Sequence, residues 1–549
     1  MSREQLKADF EAAQALQQAG RLAEAERAWL NLDQAASGHV GVMTNLAMVQ
    51  WQLGNHAAAE ANCQRALAVQ PGLVQAQAIY AAAAEVRGDV AEATARYERA
   101  LELKPDLATA LQALANLHRR QGRLETAREL AQRLAAAAPH VAQAHETLGG
   151  ILLAMDELDG AENALRRAVE LDPNLASARG NLGAVLTERR QWEPALTHLD
   201  IALGLDASMA ETHNNRGNAL VSLGRSNEAL AAFESALDLK PDFADARFNH
   251  ALVTLKQGRW TEAWPGFEKR WETRQMAPFR RSFNAPLWDG TPALDQSVLI
   301  HAEQGMGDTM MVARYLPLVA ERVGRLSVEC QAALKPLLDS MPGDFHVLEA
   351  GGGLPAFDLH LPAMSLPAVF GTSPETVPWS GPYLNPAAES GDLSGDGLKI
   401  GLVWAGNPLN PTDAERSTSL TQLAPLLEVP GCSFFSLQHG VRGDEISNGG
   451  LAHRIVDMRP QMNDFAATAA LLADLDLVIT ICTSVAHLAG GMGKTVWVLL
   501  AHDADWRWLQ SRNDSPWYPT ARLFRQPTPG DWESLVADVS TALGAEKSR

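Results

Sequence analysis

The sequence has few cysteines and lacks any long apolar run. Its four cysteines, Cys63, Cys330, Cys432 and Cys482, lie far apart and form no CxxC pair. This spacing argues against a disulfide framework and a cysteine-based zinc site, and it is typical of proteins in a reducing compartment. No stretch approaches the roughly 18 apolar residues of a membrane-spanning helix, and the charged N-terminus lacks the apolar core of a signal peptide. We therefore expect a soluble, cytoplasmic protein.

Positive charge is also scarce. The 549 residues include 46 Lys and Arg against 65 Asp and Glu, a formal net charge of −19. Because this excess of acid repels phosphodiester backbones, we expect no general binding of nucleic acid. The length suggests three or more domains, at about 100 to 200 residues per domain.

Proline and glycine are rare in the first half of the chain. Residues 1–275 hold 7 of the 29 prolines and 17 of the 42 glycines, and they are rich in Ala, Leu, Glu, Gln and Arg. These are strong helix formers. The second half holds the other prolines and glycines, together with short Val, Ile and Leu runs. The composition therefore predicts a helical half followed by an α/β half.

A 34-residue period runs through the helical half. Its eight register positions are Gly20, Gly54, Gly88, Gly122, Asp156, Arg190, Gly224 and Gly258. Five residues after these positions come Ala25, Ala59, Ala93, Ala127, Ala161, Ala195, Ala229 and Ala263. Glycine permits a tight turn between two helices, and alanine permits their close approach. The pattern resembles the tetratricopeptide repeat and predicts a superhelix with a concave groove over residues 1–275.

Four asparagines, Asn45, Asn181, Asn215 and Asn249, stand nine residues before their register positions. A carboxamide both donates and accepts hydrogen bonds, so such a ladder could clamp the main chain of a bound peptide. It resembles the ladder of the eukaryotic O-linked N-acetylglucosamine transferase. The alternative is that the asparagines only solvate the groove or help the repeats to pack. We expect a protein partner in the groove in either case.

The irregular last repeat, residues 258–274, predicts a cap that docks the array on the following domain, with a linker at 276–295. From residue 297 short strands alternate with helices, which predicts parallel sheets. The strands form two series, at 296–390 and 398–545, around a Gly/Ser/Pro-rich hinge at 381–397. The predicted class is α followed by α/β, with a GT-B-like pair of Rossmann-type lobes whose cleft holds the ligand.

Four motifs make the resemblance more specific: HAEQGMGDTMMVARYLP (301–317), GLVWAGNP (401–408) with a following ERS, LDLVITICTSVAHLAGGMGKTVWVLL (475–500) and DWRWLQSRNDSPWYPTARLFRQ (505–526). They resemble bacterial proteins that fuse tetratricopeptide repeats to a GT-B glycosyltransferase domain similar to the heptosyltransferases. The alphaproteobacterial flagellin glycosyltransferase is one type in that family.

That resemblance implies a metal-independent protein O-glycosyltransferase without a resident cofactor. It would use a nucleotide-sugar, with a CMP-linked nonulosonic acid as the donor that accompanies a flagellin acceptor. Two alternatives stay open: a transferase acting on lipid or polysaccharide, and a scaffold without activity. Cys482 stands where the family pattern has the Asp of Asp-Thr, and Ala467 stands at the acidic position of DFADT. These two departures leave the inactive scaffold as an alternative.

The turn between the first strand and its helix contains Gly305, Gly307 and Asp308. The two glycines allow a ligand to approach the backbone at an electropositive helix N-terminus. The resemblance makes Asp308 the candidate general base that takes the proton of the acceptor hydroxyl. Glu303 is the second candidate. The alternative for Asp308 is a role as helix N-cap.

Donor-binding candidates follow the strands of the second series. Thr483 and Ser484 begin a helix that contains His487, and hydroxyls at a helix N-terminus suit a phosphate. For His487 the alternative is a buried side chain packed on Trp497. Four further candidates lie at strand ends or in the loops that follow: Asn407, Arg416, Ser417 and Gln438. The resemblance places Arg416 near the donor phosphate, where it would neutralise the leaving group.

The segment 505–525 concentrates Trp, Tyr and Arg. We expect its tryptophans to pack in the core of a loop across the cleft, because the overall charge opposes stacking on nucleic acid. Asp503 and Asp505 match the spacing of a metal-binding DxD motif. The motif belongs to a different glycosyltransferase fold, so we expect no metal here.

Overall fold

The computed structural model describes residues 3–386, 393–410 and 413–546. Two compact units make up the chain, residues 1–219 and 220–549. Part of the hinge expected at 381–397, residues 387–392, lies outside the described residues.

Sixteen α-helices, joined by short turns, occupy the described residues from 3 to 267. They are α1 (Arg3–Gln18), α2 (Leu22–Ala35), α3 (Val40–Gln52), α4 (His56–Val69), α5 (Val74–Val86), α6 (Val90–Leu103), α7 (Ala108–Arg120), α8 (Leu124–Ala137), α9 (Ala142–Ala154), α10 (Leu158–Leu171), α11 (Ala176–Glu188), α12 (Trp192–Leu205), α13 (Ala210–Ser222), α14 (Ser226–Leu239), α15 (Ala244–Lys256) and α16 (Trp260–Phe267). The boundary between the two units falls inside α13.

The 34-residue register has a direct structural meaning. All eight register positions have positive φ, and these include the two that are not glycine, Asp156 at 63° and Arg190 at 60°. The alanines five residues later are at most 2% exposed. At Gly149 and Gly183 the paired helices leave no space, because an added Cβ would lie 2.5 Å from a leucine Cγ in each case. The prediction of a repeat array is confirmed.

A four-stranded sheet follows, formed by β1 (Ala293–His301), β2 (Val323–Cys330), β3 (His346–Glu349) and β4 (Leu359–Pro362). All pairings are parallel, in the order β3-β2-β1-β4. Four helices accompany it: α17 (Met306–Val312), α18 (Leu316–Ala320), α19 (Lys335–Asp339) and α20 (Leu366–Val369). The single helix expected after β1 is instead divided between α17 and α18, with Pro317 at the start of α18, where a missing N–H is tolerated.

The second sheet has six described strands: β5 (Leu398–Val403), β6 (Cys432–Ser436), β7 (Ile455–Asp457), β8 (Leu477–Ile481), β9 (Val496–Leu500) and β10 (Ala521–Arg525). They are all parallel, in the order β10-β9-β8-β5-β6-β7. The accompanying helices are α21 (Asp413–Arg416), α22 (Leu420–Leu427), α23 (Glu445–Asn448), α24 (Phe465–Ala473), α25 (Ser484–Gly491) and α26 (Trp532–Glu546).

Strand β10 corrects the expectation of a loop at 505–525. It is an edge strand of the second sheet, and its burial alternates only in part, because Arg522 is exposed next to the buried Leu523 and Phe524. The tryptophans just before it are buried, as expected: Trp506, Trp508 and Trp517 are at most 3% exposed.

The last repeat packs into the core of the second unit. Trp260 of α16 stacks on Trp517 at 5.0 Å between ring centroids, and Trp264 contacts Trp506 edge to face at 5.8 Å. The indole N–H of Trp264 also donates to the carbonyl of Thr372 at 2.8 Å. These contacts agree with the predicted docking cap. Among the described helices, none is both long enough and apolar enough to cross a membrane.

Candidate functional site

Both sheets reverse their strand order next to strands that are followed by candidate site residues. In the first sheet the chain moves from β1 through β2 to β3 and then returns to place β4 beside β1. In the second sheet the chain runs from β5 through β6 to β7 and then returns to place β8 on the other side of β5, so the reversal lies between β5 and β8. Ligands of open parallel sheets bind at such switch points, beyond the carboxyl ends of the strands. The segments at these ends are the turn after β1, the loop after β5 and the turn after β8.

The turns after β1 and β8 are in contact with each other. A Cβ added at Gly307 would lie 2.7 Å from Cδ2 of His487 and 3.4 Å from Cα of Ser484. Only a residue without a side chain lets α17 come this close to α25 without a rearrangement. The structure thus places the turn that contains Gly305, Gly307 and Asp308 against the helix that contains Ser484 and His487.

Asp308 is the third residue of α17, so it is not the N-cap of this helix. Its Oδ2 accepts the backbone N–H of Gly305 at 3.0 Å, and its Oδ1 lies 2.5 Å from Nη2 of Arg507. The side chain is one-fifth exposed. Burial raises the pKa of this carboxyl, against the opposing effect of the Arg507 guanidinium.

Arg507 is a site residue that the sequence did not identify. Its side chain is 9% exposed, and Nη1 also binds Oδ1 of Asp505 at 2.8 Å. In the sequence, Arg507 is one of several arginines in the segment 505–525, where only the tryptophans are expected to pack in the core. Only the fold reveals that it faces Asp308, a residue 199 positions earlier in the chain.

His487 is 5% exposed, and its environment differs from the expected packing on Trp497. The imidazole stacks on Trp508 at 5.5 Å, and Nδ1 lies 2.8 Å from the hydroxyl of Tyr518. Burial, together with Arg507, lowers the pKa of His487 to about 3, so the ring is neutral at physiological pH. Trp497 instead packs on Phe524.

Cys482 is placed by the same tryptophan. The indole N–H of Trp508 donates to Sγ of Cys482 at 3.1 Å, and burial raises the pKa of the thiol. Its neighbour Thr483 exchanges a hydrogen bond of 2.9 Å with Thr480. Cys482 therefore has a packing role, with a neutral thiol.

The loop after β5 is held against α21. The backbone N–H of Gly406 donates to Oγ of Ser417 at 2.9 Å, and Arg416 pairs with Asp413 at 3.3 Å. Oδ1 of Asn407 accepts the N–H of Leu409 at 3.0 Å, which shapes the loop locally. Arg416 contributes to lowering the pKa of His487, so its positive charge acts on the contact between the two turns.

Two predicted site residues are engaged by the protein itself. Oε1 of Gln438 accepts the N–H groups of Trp404 and Ala405 at 3.0 and 2.8 Å, and its Nε2 donates to two carbonyls. Glu303 is bound by both sides of the Arg270 guanidinium, at 3.0 and 2.9 Å, and by the N–H of Met364 at 2.8 Å. These contacts give both side chains a structural role.

The four asparagines of the repeat helices are all half-buried. Nδ2 of Asn181 donates to Oε1 of Glu146 at 3.1 Å, and burial raises the pKa of that carboxyl. This contact joins two neighbouring repeats. It agrees with the packing alternative at Asn181, and it leaves the peptide-clamp interpretation of Asn45, Asn215 and Asn249 as a prediction.

Two recessed cavities lie away from the contact between the turns. One, of about 420 Å³, lies against α26 and β10, and the other, of about 470 Å³, lies where the turn at Gly224 meets the segment 502–504. In the described residues, no group of three or more His, Cys, Asp and Glu side chains is arranged to hold a metal ion. Asp503 pairs with Lys256 and Asp505 with Arg507.

Family models described as tetratricopeptide repeat match residues 44–108, 87–149 and 142–175, and one described as TPR repeat matches residues 217–258. The helical half is a tetratricopeptide-repeat array.

The chain is similar to Protein FlbA of Caulobacter vibrioides, at 28% identity over 287 residues. The match covers 47% of this chain and 48% of FlbA, so the chain spans about half the length of that relative. Among solved structures, the tetratricopeptide-repeat protein YrrB is 23% identical, with a TM-score of 0.29 over 34% of this chain and 95% of its own. PilF of Pseudomonas aeruginosa is 19% identical, with a TM-score of 0.35 over 38% and 95%.

Proposed function

We propose that the protein is a glycosyltransferase of GT-B type that transfers a sugar from a nucleotide donor to a Ser or Thr hydroxyl of a protein. The observation that carries the proposal is the contact between the turn after β1 and α25, which joins the switch points of two parallel sheets. A donor bound at one sheet and an acceptor bound at the other would meet there.

The proposed chemistry assigns Asp308 as the base. It takes the proton of the acceptor hydroxyl while the oxygen attacks the anomeric carbon and the bond from that carbon to the phosphate oxygen breaks. The nucleotide leaves with the electron pair of that bond, and Arg416 and the N–H groups at the start of α25 stabilise its charge. Tetratricopeptide repeats would hold the acceptor, and flagellin is the acceptor that we propose to test first, with a CMP-linked nonulosonic acid as donor.

The test is intact-mass analysis of flagellin co-expressed with this protein and a complete sugar pathway. The wild type should add a discrete sugar mass, and Asp308→Ala should reduce the modified fraction by at least 100-fold, the usual loss of a general base. Asp514→Ala removes an equal charge from an exposed ion pair and should leave modification unchanged. Unmodified flagellin with the wild type would rule out the flagellin acceptor, and thermal shifts with CMP, CDP, UDP, GDP and ADP would then test the donor class alone.

A repeat scaffold without transferase activity is the second candidate. It is favoured by the internal engagement of Gln438 and Glu303 and by the packing role of Cys482. A scaffold of this kind would capture its protein partner through the repeats and would show no stabilisation by any of the five nucleotides.

A further inference from the structure

Arg507 is buried between two carboxylates and still has hydrogen-bonding capacity. Nη2 binds Asp308, Nη1 binds Asp505, and the guanidinium lies 4.6 Å from the centre of the Trp506 ring. Its Nε is buried, and it donates to no acceptor in the part of the chain that the structure describes. Leaving a buried charged N–H unpaired costs free energy. A further anionic partner that accepts a hydrogen bond from this guanidinium would remove that cost.

Two further arginines, Arg416 and Arg314, lie near the same group of side chains. Arg507 forms ion pairs with Asp308 and Asp505. The thiol of Cys482 also lies close to the guanidinium, and burial raises the pKa of this thiol and keeps it neutral. Arg416 and Arg314 add positive charge near His487, and His487 itself is neutral. A phosphate offers three oxygens in a geometry that suits the planar guanidinium better than a single carboxylate oxygen does.

Resting on the proposed function, we propose that Arg507 exchanges Asp308 for the phosphate of the incoming nucleotide donor. In the structure Arg507 binds Oδ1 of Asp308, and its positive charge lowers the affinity of this carboxylate for a proton. Once the guanidinium moves to the phosphate, Asp308 keeps the N–H of Gly305 as its one hydrogen-bond donor among the described residues and becomes a stronger base. Donor binding thereby activates the residue that deprotonates the acceptor.

The exchange has an unusual consequence for nucleotide affinity. Asp308 competes with the phosphate for Arg507, so removal of its charge should favour the nucleotide. We expect Asp308→Asn to bind the preferred one of CMP, CDP, UDP, GDP and ADP about tenfold more tightly than the wild type, because a hydrogen bond to a charged partner no longer has to be broken. The asparagine can still accept the N–H of Gly305 and so keep the turn.

Isothermal titration of the full-length chain tests this exchange. Arg507→Met should weaken nucleotide binding, and the Asp308→Asn gain should vanish when both substitutions are combined. Asp514→Asn, which removes an equal charge from the exposed pair with Arg512, should leave the Kd within twofold of the wild type. Titrations at pH 6 in two buffers of different ionisation enthalpy should reveal proton uptake by the wild type that Asp308→Asn lacks.

The outcomes separate the exchange from the function on which it rests. If the wild type binds none of the five nucleotides, the donor proposal and the exchange both fail. If the wild type binds one of them but Asp308→Asn binds no more tightly, the exchange is wrong while nucleotide binding stands. A gain that persists in the Arg507→Met background also overturns the exchange. Circular dichroism of each variant at the temperature of the titration confirms that the Kd values describe folded protein, because loss of one partner of this pair should lower the melting temperature.

Discussion

The buried ion pair between Arg270 and Glu303 provides a quantitative test of the packing of the last repeat. Arg270 is fully buried and Glu303 is 2% exposed at its side chain. The guanidinium also binds Glu268 at 2.9 Å and Ser365 at 2.8 Å. Arg270→Met keeps much of the apolar volume but leaves the Glu303 carboxylate with the N–H of Met364 as its remaining donor.

Breaking a buried pair from one side typically costs about 3–5 kcal/mol, because an uncompensated charge remains inside the protein. We expect Arg270→Met to lose this amount from the free energy of unfolding of the second unit at pH 7. Arg270→Met combined with Glu303→Gln should recover most of the loss, since the second change removes the stranded charge. The exposed pair of Arg512 and Asp514 is the control, and Arg512→Met should cost less than about 1 kcal/mol.

The loss should also depend on pH in a defined direction. Burial raises the pKa of Glu303, and Arg270→Met removes the positive charge that opposes that effect. A carboxyl with a folded pKa above its unfolded pKa destabilises the fold when it is ionised, so the penalty should grow as pH rises between those two values. Below the unfolded pKa, near 4, the penalty should disappear.

Urea unfolding followed by tryptophan fluorescence measures these changes, because Trp264 and Trp271 lie near the pair in the sequence and the fold. Hydrogen exchange of the peptide that contains β1 reports the same region independently. If Arg270→Met lost less than 1 kcal/mol at pH 7, or if the double variant were no more stable than the single one, our account of Glu303 as a buried structural carboxylate would be refuted.

Two further predictions concern the repeat array, and urea unfolding of the full-length chain checks both. Gly149→Ala should destabilise it by about 1–3 kcal/mol, because the new Cβ would lie 2.5 Å from Cγ of Leu165, whereas Gly204→Ala, with nothing within 4 Å, should stabilise α12 by about 0.5–1 kcal/mol. Asp156→Gly and Arg190→Gly should each stabilise by up to about 1–2 kcal/mol, because glycine adopts positive φ without the cost that other residues incur. A loss of stability at either position would contradict the strain that we assign to these turns.

The repeat array could be predicted in detail because its information is local and repeated eight times. Asp156 and Arg190 illustrate this: the register marked both as turns although neither is glycine, and both have positive φ. In the α/β half the strands with continuous apolar runs, such as β8, were also predictable. Strand β10 was missed because its arginines at 522 and 525 and its edge position weaken the apolar signal.

The site was predictable only where one segment carries it. Gly305, Gly307 and Asp308 share a turn after a buried strand, and Ser484 begins the helix after another, so strand ends indicated both. The pairing of Asp308 with Arg507 and the stacking of His487 on Trp508 join segments about 200 and 20 residues apart, and a single sequence has no signal for such contacts. The hydrogen-bond partners of Glu303 and Gln438 could not be predicted from spacing, because they come from other segments of the chain.

Two ion pairs connect the end of the repeat array, residues 244–274, to the segments that carry the proposed site. Arg270 binds Glu303, five residues before Asp308, and Lys256 binds both oxygens of Asp503 at 2.8 Å, two residues before Asp505. Both partners of Arg507 thus lie close in the chain to a carboxylate that is bound by the end of the repeat array. The second compact unit begins at residue 220, so the end of the repeat array lies in the same unit as the proposed site. A displacement of the end of the array would therefore move the segments that contain Asp308 and Asp505 through these two ion pairs. It would thereby alter the geometry on which the exchange at Arg507 depends.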